Sequence, residues 1–253
     1  MKSGFSLFPK VFSTAAYELA FTDLSQVLNS YRTTIIASVA TTALSLLVMG
    51  FMAYPMSRPN YKYGKFLSVY VLITMFFSGG MVPSYILITK YLHLKDNILV
   101  YILPALVSGF NLVVIRTNYR SIPEELIEAA KLDGASEFYI CSRIVMPLSV
   151  AVMASIGFMI FVGKWNDWTT AMLYIDDPNL YSLQYLLQKI LNSVQFMEQL
   201  ATQGMQGLNV DNILPTESFR YAMAIISAGP VLVIFPFFQK YFSKGMLVGG
   251  MKG

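Results

Sequence analysis

Long apolar segments without a charged residue alternate with short polar connections along this chain. Five such segments contain no Asp, Glu, Lys, Arg or His. Each is close to the length of about 20 residues that a helix needs to cross a bilayer core. Only helices and closed barrels satisfy their backbone in lipid, and the short alternating pattern of barrel strands is absent, so we predict an all-α, polytopic membrane helix bundle. The five predicted transmembrane helices are Thr33–Tyr54, Phe66–Thr89, Ile98–Ile115, Pro147–Gly163 and Tyr221–Gln239.

The composition also indicates a membrane protein. Apolar residues make up 55% of the chain, charged residues only 13%, and the mean hydropathy is +0.55. Soluble domains carry about 25% charged residues. The uncharged spans also disfavour an ion-coupled carrier, since such carriers bind the coupling ion through ionisable or polar groups inside the membrane. A solute moved by this bundle would therefore draw its free energy from outside the membrane domain.

Lysine and arginine are divided unequally between the two sides of a five-helix path. Ten of them lie on the side of the connection 55–65, the long loop and the C-terminal tail, and the other side has five together with seven acids. Basic loops stay in the cytoplasm, so we predict that the long loop and the C-terminus are cytoplasmic. The net charge of +4 reflects this topology better than a nucleic-acid partner.

This orientation predicts an external, interfacial N-terminal segment over residues 1–32 and a transmembrane domain over residues 33–253. The segment does not resemble a signal peptide. Either a leading span is missing, which we favour, or the segment inserts late. Helical spacing over Ala15–Asn29 predicts a helix along the outer interface, or a plain surface helix.

The sequence contains no pattern of enzymatic chemistry. Phosphate-loop, zinc-protease and serine-hydrolase motifs are missing, and the chain has one cysteine, Cys141, and one histidine, His93. We therefore predict a non-catalytic membrane subunit.

A polar loop with strong helix signals runs from Ser121 to Pro147, between the third and fourth spans. Ser121 followed by Glu124 is typical of a capping box, and Gly134 is suited to the left-handed conformation that ends a helix. A second short helix over residues 136–145 leads back to the bilayer. The loop is predicted to be a rigid helix–turn–helix that docks in a groove of a partner; two surface helices without a partner would fit the capping alone.

The residues of this loop resemble the EAA loop of bacterial ABC-importer permeases. The matching run is Glu128-Ala129-Ala130, Asp133-Gly134-Ala135, Ile144 and Pro147. In that family the loop is a coupling helix that inserts into a cleft of the cytoplasmic ATPase. The resemblance implies that the ATPase-coupling residues are Glu124, Glu125, Glu128, Ala129, Ala130, Asp133, Gly134 and Ala135.

The resemblance extends to the segment Phe76–Pro83, the cluster Trp165–Trp168 and the tail from Gln239. These parts look like the carbohydrate-uptake, maltose-permease-like branch. The resemblance implies an ATP-driven importer of oligosaccharides or polysaccharide fragments in the bacterial inner membrane. Its partners would be a second, related permease subunit, two ATPase subunits that hold ATP and Mg, and an extracellular solute-binding protein; this chain itself would hold no cofactor. Two departures are that family members usually have six spans and that Cys141 occupies a position where an aromatic residue is common.

Candidate solute contacts lie at the external end of the fourth span. Aromatic faces beside amides bind sugars, which suggests Trp165, Asn166 and Trp168, although an interfacial aromatic belt predicts tryptophan there as well. An external helix is predicted over 181–203. Gly79-Gly80 with Pro83 should interrupt the second span, and Pro104 and Pro230 should kink two others. The alternative function is a secondary carrier or channel for a small polar solute, working without an ATPase.

Overall fold

The computed structural model describes residue 14 and residues 17–18, 23–202, 220–232 and 235–236. These residues form helices, turns and irregular connections without any strand, which confirms the predicted all-α fold. The helices are α1 (Leu24–Ser57), α2 (Gly64–Phe76), α3 (Met81–Tyr91), α4 (Leu99–Ala105), α5 (Gly109–Arg120), α6 (Glu124–Leu132), α7 (Glu137–Leu148), α8 (Val150–Trp165), α9 (Thr169–Tyr174), α10 (Leu183–Thr202) and α11 (Arg220–Leu232).

The predicted apolar segments are mostly helical over their described residues, but three of them are interrupted, at residues 77–80, 106–108 and 149. Within the described part of the chain, α1 alone is long and apolar enough to cross a membrane by itself. Up to four crossings result if the bent pairs α2–α3 (110°), α4–α5 (51°) and α7–α8 (80°) each form one span. The fifth segment contributes the shorter apolar helix α11, and residues 233–234 and 237–239 of this segment lie outside the described ranges.

Each of two breaks has a cause in the sequence that was visible beforehand. Gly80 precedes α3 with φ +88°, a conformation that favours glycine, which confirms the predicted interruption of the second span. Pro104 lies in the 3₁₀ turn that ends α4. Proline lacks the N–H of a regular helix, so the helix bends there. The third break, at Ser149 between α7 and α8, lies close to the predicted boundary between the loop helix 136–145 and the span that begins at Pro147; it follows Pro147, which removes another helical N–H.

Helix α1 is the central element of the bundle and packs most extensively against α8 and α5. Its buried face carries small hydroxyl side chains at helical spacing, which let neighbouring backbones approach closely. Several hydroxyls also bond to the broken helices: Thr41 Oγ1 donates to the carbonyl of Tyr101 (3.4 Å) and Ser45 Oγ to that of Ala105 (3.3 Å). Backbone groups around the Pro104 break thereby gain partners inside the bundle. We call this face the hydroxyl stripe: Ser30, Thr33, Thr34, Ser38, Thr41 and Ser45.

The largest difference from the predicted helix boundaries is at the start of α1. Helix α1 begins at Leu24, where Asp23 accepts a hydrogen bond from the N–H of Gln26 (3.1 Å). Residues 24–29 of the predicted interfacial helix are therefore part of α1. The helix predicted over 181–203 is confirmed by α10, with residue 203 outside the described ranges.

Buried side chains form three clusters, each centred on a different set of helices. One joins the C-terminal half of α1 to α5, α6 and α7; a second joins α8, α10 and α11; a third joins α1 to α3, α4 and α9. The first cluster positions the long loop, and the second contains Trp165 at the end of α8.

Candidate functional site

The first helix of the long loop, α6, begins at Glu124. The predicted capping box is wrong: Pro123 occupies the N-cap, and no side chain caps the helix. Ser121 instead donates its hydroxyl hydrogen to the carbonyl of Asn118 (2.7 Å), at the end of α5. The extended backbone of Pro123 (ψ 133°) starts the helix two residues later than a Ser121 cap would. Glu124 and Glu125 still lie in the first turn, where carboxylates favour the helix dipole.

The other end of α6 closes with a pair of hydrogen bonds around Gly134. The N–H of Gly134 bonds to the carbonyl of Lys131 and that of Ala135 to the carbonyl of Ala130, both at 3.0 Å. This is the Schellman arrangement, which requires a left-handed residue, and Gly134 has φ +82°. The predicted role of Gly134 in ending the helix is confirmed.

Helix α6 is seated on the bundle by one side and exposed on the other. Ile127 is 2% exposed and packs into the first cluster, with Ala130 and Ala135 partly buried beside it. The side chain of Leu132 is 89% exposed, an apolar group in open solvent next to charged residues. We call the exposed side the loop face. Of the predicted coupling residues it contains Glu124, Glu125, Glu128, Ala129, Asp133 and Gly134.

A polar network that the sequence did not reveal fixes the second half of the loop to α1. Glu137, the first residue of α7, pairs with Lys131 Nζ through Oε1 (2.6 Å) and accepts the hydroxyl of Tyr54 at Oε2 (2.5 Å). The hydrogen bonds from Lys131 and Tyr54 lower the pKa of Glu137 below its usual 4.5. Opposite charges on either side of Gly134 hinted at the ion pair, but nothing in the sequence pointed to Tyr54.

Two further contacts join the same parts of the molecule. Arg58 donates to the carbonyl of Tyr119 (2.8 Å), near the end of α5, and its guanidinium lies 5.4 Å from the centre of the Tyr54 ring. Phe138 stacks on Phe51 of α1 at 5.1 Å. The end of α1 therefore contacts both the helix that leads into the loop and the helix that leads out of it.

A cavity of about 530 Å³ lies between these groups, at the junction of α1 and the loop. Phe51, Tyr54, Arg58 and Cys141 are among its lining residues. Burial raises the pKa of the Cys141 thiol to about 11, so the thiol is protonated and unreactive at neutral pH.

The three predicted solute-contact residues occupy different environments. Trp165 is 1% exposed, stacks on Phe161 at 5.8 Å and donates Nε1–H to the carbonyl of Ser227 (2.9 Å). In this structure it packs α8 against α11 and presents no face to a solute. Asn166 and Trp168 are exposed, and Asn166 accepts a hydrogen bond from Gln184 (3.1 Å).

Asp167 holds the turn that carries these residues. Its carboxylate pairs with Lys164 (2.8 Å) and accepts hydrogen bonds from Thr169 and Thr170, and its carbonyl accepts the hydroxyl of Ser182 (2.9 Å). Burial alone raises the pKa of Asp167, but the charge of Lys164 and the Thr170 hydrogen bonds outweigh it, so the net pKa lies below the usual 3.8. The network fixes the direction in which Trp168 leaves the backbone.

Trp168 lines a groove of about 400 Å³ between α9 and α10. The indole is 40% exposed. Aromatic and amide side chains lie together along this groove, which is the combination that binds sugar rings and hydroxyls. Besides Trp168, the groove is lined by Met172, Tyr185, Gln188, Lys189, Asn192, Ser193 and Phe196.

The sequence as a whole matches a described family of transport proteins. The family model of the binding-protein-dependent transport system inner membrane component matches residues 34–248. The chain belongs to this family. It is accordingly a multi-pass inner-membrane component of a transport system, and the all-α bundle with bent apolar helices fits that assignment.

Individual members of the family are similar over nearly the whole chain. Protein LplC of Bacillus subtilis is 38% identical over 98% of this chain and 82% of its own length. The polygalacturonan/rhamnogalacturonan transport system permease protein YtcP of the same organism is 35% identical over 98% of this chain and 85% of its own length.

A solved structure shares the fold. A chain from the crystal structure of a bacterial ABC transporter involved in the import of the acidic polysaccharide alginate superposes with a TM-score of 0.80. It is 27% identical, and the match covers 95% of this chain and 84% of that one. The bundle with its long loop is thus the architecture of an ABC importer component.

Proposed function

We propose that this chain is a permease subunit of an ATP-driven importer of polysaccharide fragments or oligosaccharides. The family assignment supports a transport component. The substrate class is supported by similar proteins that are named as transport components for polygalacturonan or rhamnogalacturonan, arabinooligosaccharides and alginate. An extracellular binding protein delivers the solute, and a second, related permease completes the pathway.

The loop face is the surface that docks into a cytoplasmic ATPase subunit. The observation that carries this assignment is the combination of an exposed face and a firm mounting: Glu128 and Ala129 are open to a partner, while Ile127 is buried in the bundle. Ala129 is small enough for a partner backbone to approach closely. The two ATPase subunits hold ATP and Mg, and the loop and the C-terminus lie on the cytoplasmic side, in accord with the excess of Lys and Arg in these connections. The C-terminal tail itself lies outside the described residues.

Solute contact is assigned to Trp168 and Asn166 at the opposite end of the bundle. Both are exposed there, and the turn that carries them is fixed by Asp167. The buried Trp165 supports this end by packing.

The decisive experiment combines assembly and transport. The chain is co-expressed with its second permease, ATPases and binding protein, reconstituted in liposomes, and supplied with labelled oligogalacturonides or arabino-oligosaccharides. We expect ATP-dependent uptake, and we expect Glu128→Lys to abolish it because the reversed charge faces the ATPase. Lys90→Glu, a reversal at an exposed residue after the second span, serves as the matched control and should retain uptake.

Uptake that persists without the ATPase subunits would refute the proposal in favour of a carrier or channel. Normal ATP-dependent uptake by Glu128→Lys would refute the docking role of the loop face.

A further inference from the structure

The end of α1 joins the two halves of the long loop through a short chain of polar contacts. Lys131 on α6 pairs with Glu137 on α7 at 2.6 Å, and Glu137 accepts the hydroxyl of Tyr54 on α1. Among the described residues, these are the polar contacts that join α6, α7 and α1. Apart from them, α6 rests on the bundle through Ile127 and the partly buried Ala130.

The Tyr54 side of this chain is the firmer one. Tyr54 is buried, and the Arg58 guanidinium lies 5.4 Å from the centre of its ring. Arg58 also donates a hydrogen bond to the carbonyl of Tyr119 at the end of α5. Phe138, next to Glu137, stacks on Phe51 of the same helix. A charged hydrogen bond to a buried partner is stronger than an exposed ion pair, so Glu137 is held by α1 and holds Lys131 in turn.

The geometry points to Glu137 as a positioning residue that transmits movement of α6 to α1 through Lys131 and Tyr54. This inference rests on the proposed coupling role of the loop face. A push on α6 by the ATPase would otherwise reach the bundle mainly through the apolar contact of Ile127, which lets a short helix tilt or slide. With the polar chain intact, α6 and the end of α1 move as one body, as rigid-element switching requires.

The test measures solute transported per ATP hydrolysed by the complete reconstituted assembly, with labelled oligogalacturonides as the probe. Glu137→Gln and Lys131→Met each remove the ion pair but keep the size of the side chain. We expect each to lower the ratio about fivefold, the lower end of common coupling effects. The double variant should lose no more than either single one, because both act through one interaction. Tyr54→Phe should lower the ratio to the same extent. Lys131→Arg, which keeps the positive charge, should retain the wild-type ratio.

Lys95→Met is the matched control. Lys95 pairs with Asp176 at the same 2.6 Å and with comparable exposure, but in the connections at the other end of the bundle. Its ratio should equal that of the wild type. A merely structural weakening would lower the amount of assembly and leave the ratio unchanged.

Wild-type ratios in Glu137→Gln and Tyr54→Phe, or losses that multiply to about 25-fold in the double variant, would overturn the inference. If the wild-type assembly itself fails to transport or to bind an ATPase, the proposed function fails instead. Hydrogen exchange of the α6 amides in the purified chain then decides: equal rates in wild type and Glu137→Gln overturn the inference, and about fivefold faster rates in the variant uphold it.

Discussion

Single residues fix the two ends of this protein by different means. At the long loop, Gly134 supplies a left-handed backbone conformation that ends α6 and turns the chain toward α7. At the opposite end, Trp165 is buried as a packing residue while Trp168, three residues later, stays at the surface. Each of these residues can be tested separately because its environment is distinct.

Replacing Gly134 should act through backbone strain and not through crowding. A Cβ at this position meets nothing within 4 Å, but the φ of +82° costs a β-branched residue about 1–3 kcal/mol. We expect Gly134→Val to reduce ATP-coupled uptake strongly, whereas Gly134→Asn, which tolerates the left-handed region, should retain most of it. Uptake by reconstituted vesicles measures both. Equal loss in the two variants would show that the side chain, and not the backbone, matters.

Replacing the two tryptophans should have different effects: loss of Trp165 should reduce stability, and loss of Trp168 should reduce solute affinity. Trp165→Ala empties a buried site and removes a hydrogen bond, so unfolding in mixed micelles should become easier by about 3–5 kcal/mol. Trp168→Ala should leave unfolding within about 0.5 kcal/mol and raise the half-saturating solute concentration about tenfold. Stability curves and uptake titrations test the pair. A normal half-saturating concentration in Trp168→Ala would remove this residue from the solute path.

At the scale of elements, the breaks in the apolar helices depend on the hydroxyl stripe of α1. Pro104 interrupts one helix, and carbonyls near the interruption accept hydrogen bonds from Thr41 and Ser45. Neighbouring side chains of this kind are what allow a bent helix to persist inside a membrane. The stripe is therefore a condition for the bent architecture.

Removing one stripe hydroxyl should have a measurable cost. We expect Thr41→Val to destabilise the bundle by about 0.5–1.5 kcal/mol, since the Tyr101 carbonyl loses its partner from α1. Thr42→Val is the control, because Thr42 donates only to Ser38 within its own helix at 2.7 Å. Unfolding in mixed micelles compares the two. A larger effect in the control would contradict the role given to the stripe.

The link between α6 and α7 should be insensitive to pH near neutrality. The folded-state pKa of Glu137 is lowered below 4.5, so its contribution is complete above that value and is lost only as the pH falls through the lower, folded pKa. Exchange rates of α6 amides, corrected for intrinsic pH dependence, should stay level from about pH 8 to 6 and rise only in acid, as the pH falls through the lowered pKa of Glu137. Glu137→Gln should show no such rise. A rise already between pH 8 and 6 would contradict this assignment.

For the whole molecule, the sequence predicted which segments are helical better than it predicted where the helices bend, start and end. Charge-free runs predicted every apolar helix, because a span in lipid excludes charge in a way that composition records. Bends at Gly80 and Pro104 were also predictable, since both residues restrict the backbone directly. The start of α6 was not, because Pro123 takes the N-cap position predicted for Ser121, and the Ser121 hydroxyl bonds to the carbonyl of Asn118 instead.

The polar links between distant parts of the chain were beyond prediction from one sequence. The Tyr54–Glu137 bond joins residues 83 positions apart, and no local pattern encodes such a pairing. The burial of Trp165 could not be predicted either, because it depends on packing against α11. The Trp165 indole donates a hydrogen bond to the carbonyl of Ser227 on that helix. The sequence therefore predicts local features such as helix ends, whereas contacts between residues far apart in the chain become visible only in the folded structure.

The 34 residues of α1 make it longer than any bilayer requires. At 1.5 Å per residue it measures about 51 Å, and even a steep tilt of about 40° leaves about 39 Å along the membrane normal. A hydrocarbon layer is about 30 Å thick, so roughly 9 Å of this rod stands among the lipid headgroups or in water. Asn29, near one end of α1, donates a side-chain hydrogen bond to Asn179 (3.1 Å). Contacts of α1 therefore stabilise the bundle in the headgroup region as well as within the hydrocarbon layer.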